Sequence, residues 1–379
     1  MIDSTVLERL RGIGLTPSVV QQLVALQGAD DHTLLRVVEV QREGLTLHDG
    51  TAEHAARLLP ALRARLAEQS DAVAVGDWVL ASRNRLSEWW VHDRVPPVSQ
   101  LARRLHDGRD KVTRVVIVSN VDTALLVMSL DHDFSLRRLE RYVALAQMAH
   151  VSAVVVLTKA DLCDDTAARI AEVQALLPAG AAVVALNALA ADARQALAPW
   201  LQPGQTLVLL GSSGTGKSTL TNTLTNTLTN TLTNTLTNTL TNTLTGSDVA
   251  ITGATRSGDS RGRHTTTARS LHGTPEGACI IDTPGLRTLR LDGDAQALGA
   301  AFADVAQLAS QCRFRDCQHE DEPGCAVRGA VAPGRLKNYN KLLREARRDS
   351  LTALQRKVQV QQWKARGRQA RIRAEAKRG

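Results

Sequence analysis

The stretch TLVLLGSSGTGKST, residues 206–219, limits the possible folds more than any other part of the chain. An apolar run ends in Gly211-Ser212-Ser213-Gly214-Thr215-Gly216-Lys217-Ser218, which satisfies G-x-x-x-x-G-K-[ST], and a helical start follows through Thr219. Glycines let the backbone curl so that its N–H groups face phosphate oxygens, while the lysine reaches the β- and γ-phosphates and the serine ligates Mg²⁺. The rival reading is an ordinary Gly-Ser turn, which would need neither the strand before it nor the helix after it.

The flanking sequence fits the phosphate-loop reading. From Val112 onward, apolar runs (VTRVVIVSN, TALLVMSL, VSAVVVLT, AAVVALN, TLVLLG, ACIIDT) alternate with amphipathic helical patterns at 136–149 and 166–177. Buried strands alternating with helices predict a mostly parallel sheet covered on both faces.

Three further segments complete a nucleotide site. Asp282-Thr283-Pro284-Gly285 closes the run ACII: an Asp there holds Mg²⁺ through water, and Gly285 offers its N–H to the γ-phosphate. Between it and the phosphate loop, Arg261-Gly262-Arg263-His264-Thr265-Thr266-Thr267 offers a threonine for the Mg²⁺ shell, with Thr265 and Thr266 placed at the nucleotide and the choice of ligand among 265–267 left open. Each of these segments alone is also compatible with an exposed loop. Thr158-Lys159-Ala160-Asp161 ends VSAVVVL and resembles the guanine-reading N/T-K-x-D loop of GTPases. There the Asp accepts from the guanine N–H and amino group, which adenine lacks, and the Lys stem packs on the ring. Asn187, after the next strand, is the weakest element, placed beside the base. In this chain the guanine loop precedes the phosphate loop, the reverse of the usual GTPase order. Cutting the sheet and joining its old ends preserves the same site, because chain termini often lie close together.

After the loop, Thr-Asn-Thr-Leu repeats, with a leucine at every fourth position from Leu220 to Leu244. Each step of four drifts a helical stripe by about 40°, so the repeated leucines cannot all face one core. One copy completes the motif; the surplus at 225–244 reads as repeat expansion within a working site.

Upstream, LLRVVEVQ (34–41), GLTLHD (44–49), AVGDWVLAS (74–82) and WWVHDRV (89–95) predict a small β-barrel, interrupted by a helix over HAARLLPALRARLAEQ. Residues 4–27 have the spacing of one or two short helices, and a basic segment, Arg103 to Arg114, links the two halves. Downstream, Cys312-x4-Cys317-x-His319-x5-Cys325 gathers three thiolates and an imidazole, the donor set of a closed tetrahedral Zn²⁺ site; the alternative is a chance cluster of thiols. Cys163 and Cys279 read as small buried hydrophobes.

The net charge of +8 is concentrated at one end. Residues 335–379 hold fifteen Lys/Arg against three Asp/Glu, leaving −4 for the rest. Such asymmetry points to a polyanion partner, against a merely solvated helix. Aromatic residues make up 3%, too few for widespread stacking on nucleic acid. No apolar run approaches the roughly 20 residues of a membrane span, and the N-terminus lacks a signal-peptide core, so a cytoplasmic protein is expected.

The segments VVEVQ…AVGDWV, SNVDTALLV, TKADL, GSSGTGKST, GRHTTT and DTPGL, with the Cys-His knuckle, together resemble the bacterial small-ribosomal-subunit-dependent GTPase A family from about Leu34 onward. The resemblance implies a multidomain fold: an N-terminal OB-fold β-barrel, a circularly permuted P-loop α/β GTPase domain, and a C-terminal zinc-knuckle domain with helices. The expected boundaries are a helical extension at 1–32, the barrel at 33–111, the G domain at 112–292 and the zinc-binding, basic helical part at 293–379. It also implies a monomer that binds GTP and GDP with Mg²⁺, carries one structural Zn²⁺, and contacts the small subunit and its rRNA. In that family the subunit stimulates slow hydrolysis during late maturation. Leu286 stands where Ras-like enzymes carry a water-orienting Gln, and the resemblance points to His264 as the substitute. Two other functions fit the same residues: a permuted GTPase acting on another RNA or the large subunit, and a non-hydrolysing zinc/OB RNA-binding module.

Overall fold

The computed structural model describes residues 4–26, 32–41, 44–106, 112–177, 181–190, 192–225, 269–283, 298–299 and 301–350. The chain divides into two compact units, one of residues 1–102 and 116–289, the other of 103–115 and 290–379. Among the described residues no helix is long and apolar enough to cross a membrane.

The first unit begins with α1 (Ser4–Arg11) and α2 (Pro17–Val24). Thr16 caps α2, its hydroxyl accepting from the Val19 N–H, and Pro17 sits where a missing N–H does no harm. Leu10, Leu15, Val19 and Leu23 then pack on Trp78, Leu80 and Val95.

Five strands close the barrel: β1 (Thr33–Val40), β2 (Leu45–His48), β3 (Glu53–Leu58), β4 (Trp78–Arg83) and β5 (Trp89–Arg94). Their order is β1-β2-β3-β5-β4, with β4 returning to β1 and β3 parallel to β5, the connectivity of an OB-fold. Helix α3 (Pro60–Glu68) bridges β3 and β4 and buries Leu62 and Leu66 in the barrel core. The helix expected from His54 therefore begins only at Pro60. Residues 53–58 are a strand whose pairing with β2 and β5 outweighs the helix preference of its two alanines.

A second correction concerns VTRVVIVSN. This run forms β7 (Val112–Ser119), which pairs with β6 (Gln100–His106) in a separate two-stranded sheet, so it does not join the parallel sheet. The basic segment between the two halves supplies part of both strands. Asn120 ends the hairpin in a left-handed conformation (φ 52°), and its side chain donates to Gly76 O and accepts from the Val98 N–H.

The parallel sheet starts at β8 (Thr123–Ser129), every residue of which is buried. It continues through β9 (Ser152–Thr158), β10 (Ala182–Ala185), β11 (Thr206–Leu210) and β13 (Cys279–Asp282), in the order β10-β9-β8-β11-β13. Helix α4 (Leu136–Met148) packs on β8 and β9, α5 (Thr166–Gln174) on β10, and α7 (Lys217–Thr225) on β13 and α6 (Ala193–Leu197). Antiparallel strand β12 (Ser270–Gly273), unforeseen from sequence, pairs with β13 and with β1, so barrel and parallel sheet form one sheet of eleven strands.

Arg36 of β1 is fully buried where barrel and parallel sheet meet. Its guanidinium donates to Thr206 Oγ1 at 2.9 Å, to Asn120 O at 3.4 Å and to Ile13 O, and lies over the Trp78 ring. Gly14 is required beside it, since its φ is +87° and a Cβ would fall on the guanidinium.

The second unit holds α8 (Ala303–Ala309), the Cys-His segment and α9 (Pro333–Ser350). Arg335 pairs with Asp304 at 2.8 Å and stacks over Phe302, whose ring also meets Tyr339.

Candidate functional site

Parallel strands place their C-terminal ends together, and ligands of such sheets bind there. Strands β8, β9, β11 and β13 accordingly bring Ser129, Thr158, Gly211 and Asp282 to one edge. After β11 the loop turns sharply. Gly211 admits no side chain, because a Cβ would lie 2.4 Å from Val127 O, and Gly214 and Gly216 take φ of +85° and +87°. Thr215 Oγ1 donates to Ser212 O at 2.9 Å, fixing the curl. Ser213 is half-buried, Gly214 and Ser218 face outward, and Thr219 lies in the first turn of α7, which begins at Lys217.

Lys217 folds back into the loop, its ammonium donating to Gly211 O at 3.0 Å and Ser212 O at 2.7 Å. Burial pulls its pKa down to about 8, with Asp282 acting in the opposite direction. Asp282 is itself raised by burial, against Lys217 and a hydrogen bond from Ser218. Among the described residues its Oδ1 is buried without a hydrogen-bond partner. A buried carboxylate oxygen with open lone pairs beside a serine hydroxyl matches the oxygen donors that Mg²⁺ takes.

The base-side segment meets the phosphate loop directly. Thr158 Oγ1 donates to Thr215 O at 2.7 Å, and Gly216 lies against the Thr158 side chain. Lys159 follows in a left-handed conformation (φ 58°), and Asp161, exposed, lies in the middle of a one-turn helix at Ala160–Leu162. Ala160 N–H bonds to Leu186 O, which brings the Asn187 loop alongside; the Asn187 side chain accepts from Leu189 N–H in its own turn. Thr223 Oγ1 donates to Ala188 O, and Arg194 donates to the carbonyls of Thr223 and Leu224. With Leu220 and Leu224 fully buried in the core, the single motif copy is clamped at its end. The surplus repeats at 226–244, with His264, Thr265, Thr266 and Gly285, lie outside the described residues.

Sequence reasoning missed Asp131, Asp133 and Arg138. Lys159 Nζ reaches Asp131 at 2.6 Å, while Arg138 Nη1 donates to Asp133 at 2.5 Å and to Ser212 Oγ at 2.6 Å. The available signal was positional: the loop after a fully buried parallel strand must emerge on the same edge as the nucleotide loops.

In the second unit, the ligand atoms of Cys312, Cys317, His319 and Cys325 lie within 4.8 Å of one another. His319 Nδ1 is 3.6 Å from Cys312 Sγ and 3.5 Å from Cys325 Sγ. A tetrahedral Zn²⁺ with sulfur at about 2.3 Å and nitrogen at about 2.0 Å has S···N edges of about 3.6 Å, so the residues fit that ion. Arg328 N–H donates to Cys325 Sγ at 3.3 Å, an outer contact that orients the thiolate. Cys279 is buried, as expected, and Cys163 half-buried.

The family model for the RsgA GTPase matches residues 97–238 and 237–292. Small ribosomal subunit biogenesis GTPase RsgA 2 of Vibrio vulnificus is 38% identical, across 93% of this chain and 92% of its own length. Small ribosomal subunit biogenesis GTPase RsgA of Xylella fastidiosa is 42% identical, across 81% and 86%. Among solved structures, YjeQ from Thermotoga maritima superposes with a TM-score of 0.56 at 22% identity, covering 83% of this chain and 98% of that one. YloQ, a circularly permuted GTPase, gives 0.54 at 22%, covering 85% and 97%. These two share the fold.

Proposed function

The chain belongs to the RsgA GTPase family, and from that premise we propose that it hydrolyses GTP on the small ribosomal subunit and promotes that subunit's late maturation. The observation that carries the reading is the 2.7 Å bond from Thr158 to Thr215 O. It joins a base-reading segment to a phosphate loop that follows it in the chain.

In this reading Asp161 accepts from the guanine N–H and amino group, and the Lys159 stem packs on the ring. The N–H groups of 211–219 and the Lys217 ammonium hold the phosphates. Ser218 and Asp282 hold Mg²⁺ with Thr265 or Thr266, and the ion supplies charge neutralisation between the β- and γ-phosphates. Gly285 N–H meets the γ-phosphate, and neutral His264 orients the attacking water. The barrel at 33–111 and the basic residues beyond Arg335 meet rRNA, the latter mainly through phosphates, so that binding falls steeply with salt.

GTP turnover measured alone, with purified small subunits and with large subunits tests the assignment, with ATP as control. Small subunits should raise turnover by at least about tenfold, a floor well under the roughly 10³–10⁵-fold that trans-acting groups supply in phosphoryl transfer, and ATP should not substitute. Equal stimulation by large subunits, or equal use of ATP, would overturn it.

The Cys-His cluster holds Zn²⁺ as a structural ion, closing a segment too small for a core of its own. Metal analysis of reduced, chelator-free protein should return about one Zn²⁺ per chain. A value near zero would refute the site.

A further inference from the structure

We propose that Asp131 is a positioning residue of the nucleotide site, holding the Lys159 side chain where its stem packs against the guanine ring. The proposal rests on the GTPase reading above and adds a residue that none of the sequence motifs contains.

Strand β8 leaves the core at Ser129, and the turn after it is built around one carboxylate. Asp131 Oδ1 accepts from Ser129 Oγ at 2.7 Å and from Asp133 N–H at 2.9 Å. With that oxygen fixed, Oδ2 is aimed at Lys159 Nζ, 2.6 Å away. Both side chains are mostly buried, Asp131 19% and Lys159 33% exposed, so the pair is shielded from the screening that weakens surface ion pairs. Burial pushes the Asp131 carboxyl up, but the Lys159, Asp133 and Ser129 hydrogen bonds outweigh it and hold the group at about 2. The carboxylate is therefore charged throughout the working pH range.

The far end of the same turn is anchored as well. Asp133 accepts from Arg138, and Arg138 donates to Ser212 of the phosphate loop. One segment thus sets both the base-side lysine and the start of the phosphate loop. Lys159 has its backbone in the left-handed region, and a lysine stem is a flexible chain of four carbons. Holding the ammonium in advance removes rotamers that binding would otherwise have to freeze.

The test measures binding of guanosine and inosine diphosphates to the full chain by calorimetry, without ribosomes. Asp131→Ala should weaken both by roughly tenfold, the scale of losing a hydrogen bond to a charged group. Their ratio should stay as in the wild type, since the stem packs on the ring face and touches no exocyclic group. At saturating GTP, kcat should hold within about twofold while KM rises roughly tenfold, the signature of lost uniform binding. Asp131→Glu should restore part of the affinity. Lys159→Met keeps the stem without the ammonium, and the double variant should bind no worse than the weaker single one.

Wild-type affinity in Asp131→Ala, or additive losses in the double variant, would overturn the proposal. If Asp131→Ala does not fold, Lys159→Met carries the test: a roughly tenfold loss is expected, and unchanged affinity sinks the idea. A wild-type chain that binds no guanine nucleotide would instead sink the GTPase reading, so the two failures are distinguishable.

Discussion

Lys217→Ala lowers subunit-stimulated GTP hydrolysis by at least about a thousandfold, or roughly 4 kcal/mol of barrier. The lysine is only 6% exposed and sits inside the curl of its own loop, bonded to the carbonyls of Gly211 and Ser212. Three groups face it: those two carbonyls and the buried Asp282 carboxylate, whose pKa it lowers against burial. Alanine removes the cation proposed to meet the β- and γ-phosphates and leaves the buried Asp282 carboxyl without its Lys217 neighbour. Arginine should not rescue, since its planar fork does not fit a cradle built for a compact ammonium. Single-turnover rates with saturating small subunits check this, and a loss below tenfold would exclude Lys217 from the phosphate contacts.

Arg36→Ala should cost about 3 kcal/mol of stability while leaving the nucleotide loops chemically intact. The guanidinium satisfies Ile13 O, Asn120 O and Thr206 Oγ1, groups on three separate segments. Its removal strands those acceptors and opens a cavity beside Trp78 and Gly14. Lysine offers one point charge in place of a fork and cannot meet all three. At 379 residues, with about 2.1 cal/mol/K of unfolding entropy per residue, the melting temperature should fall by roughly 4 °C. Urea denaturation would check it, and a change under 1 kcal/mol would show that the surrounding groups rearrange to compensate.

These two residues mark what the sequence did and did not make legible. The phosphate loop, the permuted order and the Cys-His spacing were readable because each is a local pattern with one chemical purpose. The strands of the parallel sheet were readable because burial on both faces forces continuous Val, Ile and Leu. Arg36 was not, because in LLRVVEVQ an arginine reads as the solvent-facing member of an alternating strand. Only the docking of helices α1 and α2 and the start of β11 turns it inward. Strand β3 was hidden because Glu53–Leu58 carries helix-favouring residues whose partners, β2 and β5, are set by barrel closure. Asp131 was hidden for a related reason: its partner, Lys159, lies 28 positions away, and only the sheet order brings them together.

Strand β12 has the barrel strand β1 on one edge and β13, which ends in Asp282, on the other. Along the chain it follows directly on the segment that contains His264. The surface proposed to meet RNA and the strand that ends at the proposed phosphate site therefore share a structural member. Thermodynamic linkage makes that sharing symmetric: by whatever factor RNA on the barrel alters the affinity for GTP, GTP alters the affinity for that RNA. A tenfold preference in each direction corresponds to about 1.4 kcal/mol, comparable to one net backbone hydrogen bond. A coupling of that size needs no more free energy than one rung of the ladder between β1 and β12 supplies.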